Sequence, residues 1–312
     1  MSLYNKFKDY SALVITSGPS LDNYIDEIKE NQSRFFIIVV DSALSVVLMH
    51  DIKPDFVISI DPQAYIYEHI ISVETDSFIP IISISASSQL FKRFQGYVTL
   101  NSHPFAQVID SIDNTIGSIE SKTGNVAGDA VSFGERLGFK NIILTGFDFS
   151  FLNYKIYARG TAYQNRYSFL FNNRFSTVES FNMHYIQKSS RGIKLSNKHT
   201  RKSFIQYKES LEKYIETSKA KVYNLNSYGL IIDGIEIIKS LSDIDEPPVH
   251  KPEIIGAITE KHENINMRLP EYIINTLQKE EVFSEVLHVA GFSNKDKVHH
   301  IRNIIKYYGE QK

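Results

Sequence analysis

The stretch Ala12-Leu13-Val14-Ile15-Thr16-Ser17-Gly18-Pro19-Ser20-Leu21 decides the fold. Four consecutive apolar residues without alternation read as a strand buried on both faces, the mark of a parallel sheet. Gly18 lets the backbone approach a ligand, and Pro19 suits a first helical turn. A strand that turns into a helix in this way opens a βαβ unit, and open sheets of this kind take ligands beyond the carboxyl ends of their strands. The exposed N–H groups of such a helix attract phosphate. A plain strand-to-helix turn with Ser20 as its cap has the same appearance at this length. The glycines do not form G-x-G-x-x-G, and no G-x-x-x-x-G-K-[S/T] occurs, which disfavours ordinary dinucleotide and Walker-type binding.

Outward from this turn the pattern repeats. Continuous apolar runs at 12–16, 35–40, 56–60, 79–84, 97–100, 142–145 and 221–224 predict strands. Segments 22–31, 43–50, 65–72, 87–94, 105–112 and 126–137 between them predict helices. Strand, crossover helix and strand in alternation imply an α/β fold, a doubly wound and mainly parallel Rossmann-like sheet. Residues 157–197 are rich in Asn, Arg and aromatics without clear periodicity, and read as an irregular lid insertion, 152–199 at its widest. An amphipathic helix is expected over 200–217. Residues 242–252, acidic with three prolines, read as a linker. The domains expected are therefore 1–241, nucleotide-binding and including the lid, and a helical C-terminal extension over 253–312. In that extension Ile273, Leu277, Ile301 and Ile304 need cover, so self-association into a homo-oligomer or partner docking is expected there.

Composition narrows the classes. The 312 residues are 42% hydrophobic, enough for a substantial core, and the net charge of −2 argues against a nucleic-acid partner. The absence of cysteine removes thiol nucleophiles, disulfides and cysteine-bound zinc, and fits a reducing compartment. The apolar run 12–15 is too short for a signal peptide or a membrane span. A cytoplasmic protein without membrane attachment is expected.

Three further groups carry chemistry. Asp41 and Asp61 follow the second and third strands, where carboxylates accept ribose or base hydrogen bonds or hold hydrated Mg2+. Each alone reads equally as a helix cap. Thr123-Gly124-Asn125 opens the helix over 126–137 and supplies a second phosphate-suited N-terminus, and Gly146 and Asp148 lie at the tip of the strand that follows. The lid supplies Tyr157, Arg159, Arg166, Arg174, His184, Lys188, Arg191 and His199, and its arginines suit an acidic substrate or phosphate. The histidines form no HExxH pair, and His299-His300 reads as solvent-facing.

The order of these motifs, from Ser17-Gly18-Pro19-Ser20 through Ile52–Pro62 and Thr123–Phe151 to Val222–Gly234, resembles the central domain of the motility accessory factor (Maf) family. That family is implicated in flagellin glycosylation with nonulosonic acids. The same domain is similar to 6-hydroxymethylpterin pyrophosphokinases of archaeal type and, more distantly, to bacterial CMP-sialyltransferases. The resemblance covers about residues 10–240. It implies a glycosyltransferase that moves a nonulosonic acid from a CMP-sugar donor to a Ser or Thr hydroxyl of a protein acceptor, flagellin above all, with no certain cofactor. It also implies nucleotide contacts at Ser17, Gly18, Pro19, Ser20, Thr123, Gly124 and Asn125, with Asp41 and Asp61 standing where sialyltransferases carry asparagines. Tyr157 matches a lid tyrosine that assists the departing phosphate. Lys188 stands where those enzymes have a histidine base, so His184, Lys188 and Tyr157 are the catalytic candidates. Lys188 either loses its proton to act as base or stays charged beside phosphate. The alternatives are transfer of diphosphate from ATP to a hydroxymethylpterin, with Mg2+ on Asp41 and Asp61, and a non-catalytic nucleotide- or partner-binding module.

Overall fold

The structure is a computed structural model that describes residues 3–70, 73, 77–83, 86–93, 97–99, 119, 122–165, 177–225 and 228–259. Its centre is strand β1 (Ser11–Ile15), whose five side chains are all buried. β1 pairs in parallel with β2 (Phe36–Val40) on one side and with β6 (Asn141–Thr145) on the other. Beyond β2 lie β3 (Phe56–Ser59), β4 (Ile79–Ser83) and β5 (Tyr97–Thr99); beyond β6 lie β9 (Lys221–Asn224) and β10 (Glu236–Ile237). The resulting sheet has eight strands in the order β10-β9-β6-β1-β2-β3-β4-β5, and every pairing is parallel. The chain winds from β1 to one edge, then returns past β1 and winds to the other. The doubly wound α/β reading is therefore correct, and the order reverses between β1 and β6.

Helices α1 (Ile25–Asn31), α2 (Asp41–Met49), α3 (Ser88–Arg93) and α4 (Val126–Leu137) fill the crossovers. α4 packs across β1, β2, β3 and β6, the middle of the sheet. Two segments read as helices from sequence are tighter 3-10 turns, Pro19–Asn23 ahead of α1 and Ala64–His69 after β3. The expected helix over 105–112 lies outside the described residues, as does the helical C-terminal extension beyond residue 259.

The lid is more regular than its composition implies. Helix α5 (Val178–Ser190) starts at Thr177, whose side chain accepts a hydrogen bond from Ser180 N at 3.1 Å. It buries only Ile186 and Ser190, so no apolar stripe announced it. A hairpin of β7 (Lys194–Leu195) and β8 (Lys198–His199) follows, and then α6 (Lys202–Ile215), the expected amphipathic helix. Phe151, Ile156 and Ile186 form a small core of the lid's own, with Tyr157, Tyr185 and Phe204 packed against it.

The segment read as a linker is docked. Glu246, buried, accepts hydrogen bonds from Ser11 Oγ at 2.6 Å and Asn141 Nδ2 at 3.3 Å, and pairs with Lys140 at 2.9 Å. Arg34 donates to the carbonyls of Ile244 and Glu246, and Val249 N donates to Ser33 O. Lys251, first residue of helix α7 (Lys251–Thr259), reaches Asp55 at 2.8 Å. These contacts cross the edge where β1, β2, β3 and β6 begin. Proline and acidic residues hid this strap because its hold is made through one buried carboxylate and main-chain groups, not through an apolar run. Among the described residues no helix is long and apolar enough to cross a membrane.

Candidate functional site

The two turns read as phosphate sites have different surroundings. At the first, Ser20 N donates to the carboxylate of Asp148 at 2.8 Å, so the chain's own anion already occupies that donor. Gly18 is there for close packing: a Cβ on it would stand 2.0 Å from Gly146 O and 2.5 Å from Asp148 Oδ2. Ser17, Ser20 and Asp148 are buried, Ser17 sharing a hydrogen bond of 2.9 Å with Ser42. Pro19 borders a smaller cavity. Gly146, at φ +76°, belongs to the same backbone contact.

The second turn is open. Asn125 caps α4 by accepting from Gly128 N at 3.0 Å, and Gly124, at φ +72°, has among the described residues one neighbour within 4 Å of where a Cβ would lie, a ring carbon of Tyr207 at 3.9 Å. Gly124, Asn125 and Val126 line a cavity of about 830 Å3 beyond the tips of β2 and β3. Thr123 is buried beneath, packed on Gly128.

Asp41 and Asp61 line the same cavity. Asp41 accepts from Ser59 Oγ and from Ser42 N, the latter at 2.7 Å, so it is a fixed carboxylate, buried at the start of α2. Asp61 accepts from Gln63 N at 2.9 Å and from Tyr65 Oη at 3.2 Å. Burial and the Asp61 carboxylate push the Tyr65 phenol up to about 12. Burial also raises Tyr157, against the opposing pull of Arg201; Tyr157 feels Tyr185, Asp41 and Asp61 as well, so it stands between both carboxylates and the arginine. Among the described residues no group of three His, Asp or Glu side chains is placed to share a metal ion.

The lid candidates divide. Tyr157 lines the cavity, whereas His184 and Lys188 are exposed on α5 and line neither cavity; their neighbour Tyr185 faces it. Positions 184 and 188 lie one helical turn apart, on the side of the helix away from its buried residues Ile186 and Ser190. Arg159 and Arg191 are also exposed, and Arg166 lies outside the described residues. The cation at the site is Arg201, one residue ahead of α6. It stacks on Phe204 at 4.1 Å and leaves its buried Nε without a hydrogen-bond partner. The histidine at the site is His69, whose side chain is 10% exposed. Its Nδ1 lies 3.7 Å from Asp41 Oδ1 and has no hydrogen-bond partner. Neither was read from the sequence. Arg201 stands just outside the arginine-rich stretch, and His69 ends a segment that reads as an ordinary crossover helix.

Residues 1–154 match the profile of the family described as 6-hydroxymethylpterin diphosphokinase MptE-like. Over these residues the chain is similar to the MptE-like family. This half holds β1 to β6, α4 and both turns. The whole chain superimposes on a Maf glycosyltransferase from Magnetospirillum magneticum AMB-1 with a TM-score of 0.58 at 16% identity, covering 98% of this chain and 53% of that one. That likeness is one of fold. Two proteins of Treponema pallidum (strain Nichols), both described as uncharacterized, are 46% identical over 59 residues and 38% identical over 56 residues. Those stretches are 19% and 18% of this chain and 21% and 27% of the relatives. The chain thus spans about half of the Maf protein and matches only short stretches of the two others. The expected kinship with the Maf and MptE-like group is borne out.

Proposed function

We propose that this protein is a glycosyltransferase that binds a nucleotide-activated sugar in the 830 Å3 cavity and transfers the glycosyl group to a hydroxyl of a protein acceptor. One observation carries the reading. The open N-terminus of α4, Arg201 and a wall of tyrosines meet in one cavity at the carboxyl ends of parallel strands, beside two fixed carboxylates. The helix N–H groups and the guanidinium suit phosphate, the tyrosine rings suit a base or sugar face, and the carboxylates suit ribose or sugar hydroxyls. The Maf-like fold supports glycosyl transfer, and the resemblance of the motifs supports CMP-nonulosonic acid as donor and Ser or Thr of flagellin as acceptor.

In the transfer step the bond from the sugar carbon to the phosphate oxygen breaks as the acceptor oxygen bonds to that carbon. The leaving phosphate keeps the electron pair, and Arg201 with the α4 N-terminus holds its charge. The acceptor proton goes to a base. His69 replaces His184 and Lys188 in this role because it lines the cavity, and Asp41 beside it stabilises the imidazolium that forms.

A thermal-shift and calorimetry panel of CMP, CDP and ATP tests the reading, since a ligand that binds only the native state raises its apparent stability. CMP or CDP should bind, and Arg201→Ala should weaken it at least tenfold, about 1.4 kcal/mol. Absence of any nucleotide binding ends the reading in favour of a partner-binding module. His69→Gln that binds donor but still turns over at the wild-type rate removes His69 as base.

The MptE-like match favours one second reading, diphosphate transfer from ATP to a pterin. Asp41 and Asp61 on one cavity wall fit Mg2+, which is commonly held by one or two carboxylates together with substrate phosphates. The metal would supply charge neutralisation between the phosphates. Binding of ATP that requires Mg2+, with no response to CMP or CDP, selects this reading over the first.

A further inference from the structure

The lid covers a second cavity. It measures about 440 Å3 and is lined by residues after β1 (Pro19, Asn23), after β6 (151–155) and on the β7–β8 hairpin. It therefore sits where the strand order reverses, the crevice in which open α/β sheets place their ligands.

Its charge has one sign. Lys155, Lys194, Lys198 and His199 line it, and among the described residues no Asp or Glu does. Lys155 is engaged by Asp22 at 2.7 Å, but no carboxylate among the described residues pairs with Lys194 or Lys198. Two lysines on the lining of one cavity, neither paired with a carboxylate among the described residues, draw an anion. The hairpin brings both to the lining from opposite faces of its ribbon: Lys194 pairs with His199 and Leu195 with Lys198 across a two-residue turn whose Ser196 and Asn197 have φ of 50° and 62°. Positive φ at both central residues is the turn geometry that matches the twist of a β-ribbon. His199 Nδ1 is buried and has no hydrogen-bond partner, a cost that a bound acceptor would remove.

The chain at 199–201 borders both cavities, His199 lining the smaller and Arg201 the larger. Thr200 is buried and donates to Phe149 O at 2.7 Å, while Phe151 N donates to His199 O at 2.8 Å, which pins the chain between them. On either side of Thr200 a buried nitrogen lacks a partner: His199 Nδ1 on the smaller cavity, Arg201 Nε on the larger.

We propose that the 440 Å3 cavity is a separate binding site for a small oxyanion ligand, carrying phosphate or carboxylate groups and held by Lys194, Lys198 and His199. This goes beyond the function proposed for the larger cavity and does not depend on it. Calorimetric titration with inorganic pyrophosphate and with citrate, on the full chain, tests the site and tells phosphate from carboxylate. At least one probe should bind the wild type, bind Arg201→Ala with the same affinity, and bind a Lys194→Glu/Lys198→Glu protein at least tenfold more weakly. Lys194 is exposed and Lys198 half-buried, and a circular-dichroism melt matching the wild type confirms that this variant folds. A Lys194→Gln/Lys198→Gln protein, should the charge reversal not fold, must show the same weakening. The proposal is overturned if neither probe binds, if the lysine changes leave binding intact, or if Arg201→Ala abolishes it.

Discussion

The turn at Gly18 and the turn at Gly124 look alike in sequence, each a strand or loop running through glycine and small polar residues into a helix. In the structure the first is closed by the chain itself and the second opens on a cavity. At Gly18 the absent side chain admits the backbone of Gly146 and the carboxylate of Asp148. At Gly124 the edge of Tyr207 is the neighbour found among the described residues, and the glycine serves a left-handed backbone angle. A glycine before a helix thus answers to one of two neighbours, a ligand or another strand of the same protein. Which one it is depends on a partner more than a hundred residues away.

The largest effect that separates the turns is on stability. Gly18→Val drives a Cβ into main-chain atoms that cannot move aside, and should cost about 4 kcal/mol or prevent folding, read as the shift in a denaturant midpoint. A midpoint equal to the wild type's breaks the comparison, because it returns Gly18 to the open class. Asp148→Ala should come next, at about 2 kcal/mol, since it leaves Ser20 N buried without its acceptor. If instead the variant is stable and gains affinity for phosphate, the first turn is an anion site that Asp148 merely blocks. Gly124→Ala meets no clash and pays only for its positive φ, about 1 kcal/mol; a loss as large as that at Gly18 would erase the distinction.

The smallest effect is a titration at the open site. Tyr65 keeps its proton in the folded state up to about 12, while an unfolded phenol loses it near ~10. Its contribution is complete below the unfolded value and is lost as pH rises through the folded one. The alkaline decline in stability across that window should be shallower in Tyr65→Phe, followed by chemical denaturation at each pH. Identical declines in the two proteins would show that Tyr65 does not donate to Asp61.

Much of the frame was legible because parallel strands buried on both faces announce themselves as unbroken apolar runs. The seven runs read from sequence are all strands, each within a residue or two at its ends. The two-residue strands β7, β8 and β10 were not legible, since they bury too little to leave a pattern. At the site, Asp41, Asp61, Gly124, Asn125 and Tyr157 do come together on one cavity. His184 and Lys188 do not, because a motif alignment fixes position along α5 and not the face of the helix. Arg201 and His69 were hidden for the opposite reason: each is one charged residue in an unremarkable segment, and only the packing of distant elements brings it to the cavity.

The strap formed by residues 244–251 has a practical bearing. It crosses the edge where the strands begin, and the N-terminal segment docks there too, with Asn5 N on Arg136 O and Phe7 N on Leu137 O at the end of α4. The cavities and the lid stand at the other edge. A protein immobilised through a tag beside either segment would therefore point its lid into free solution, oriented alike on every molecule.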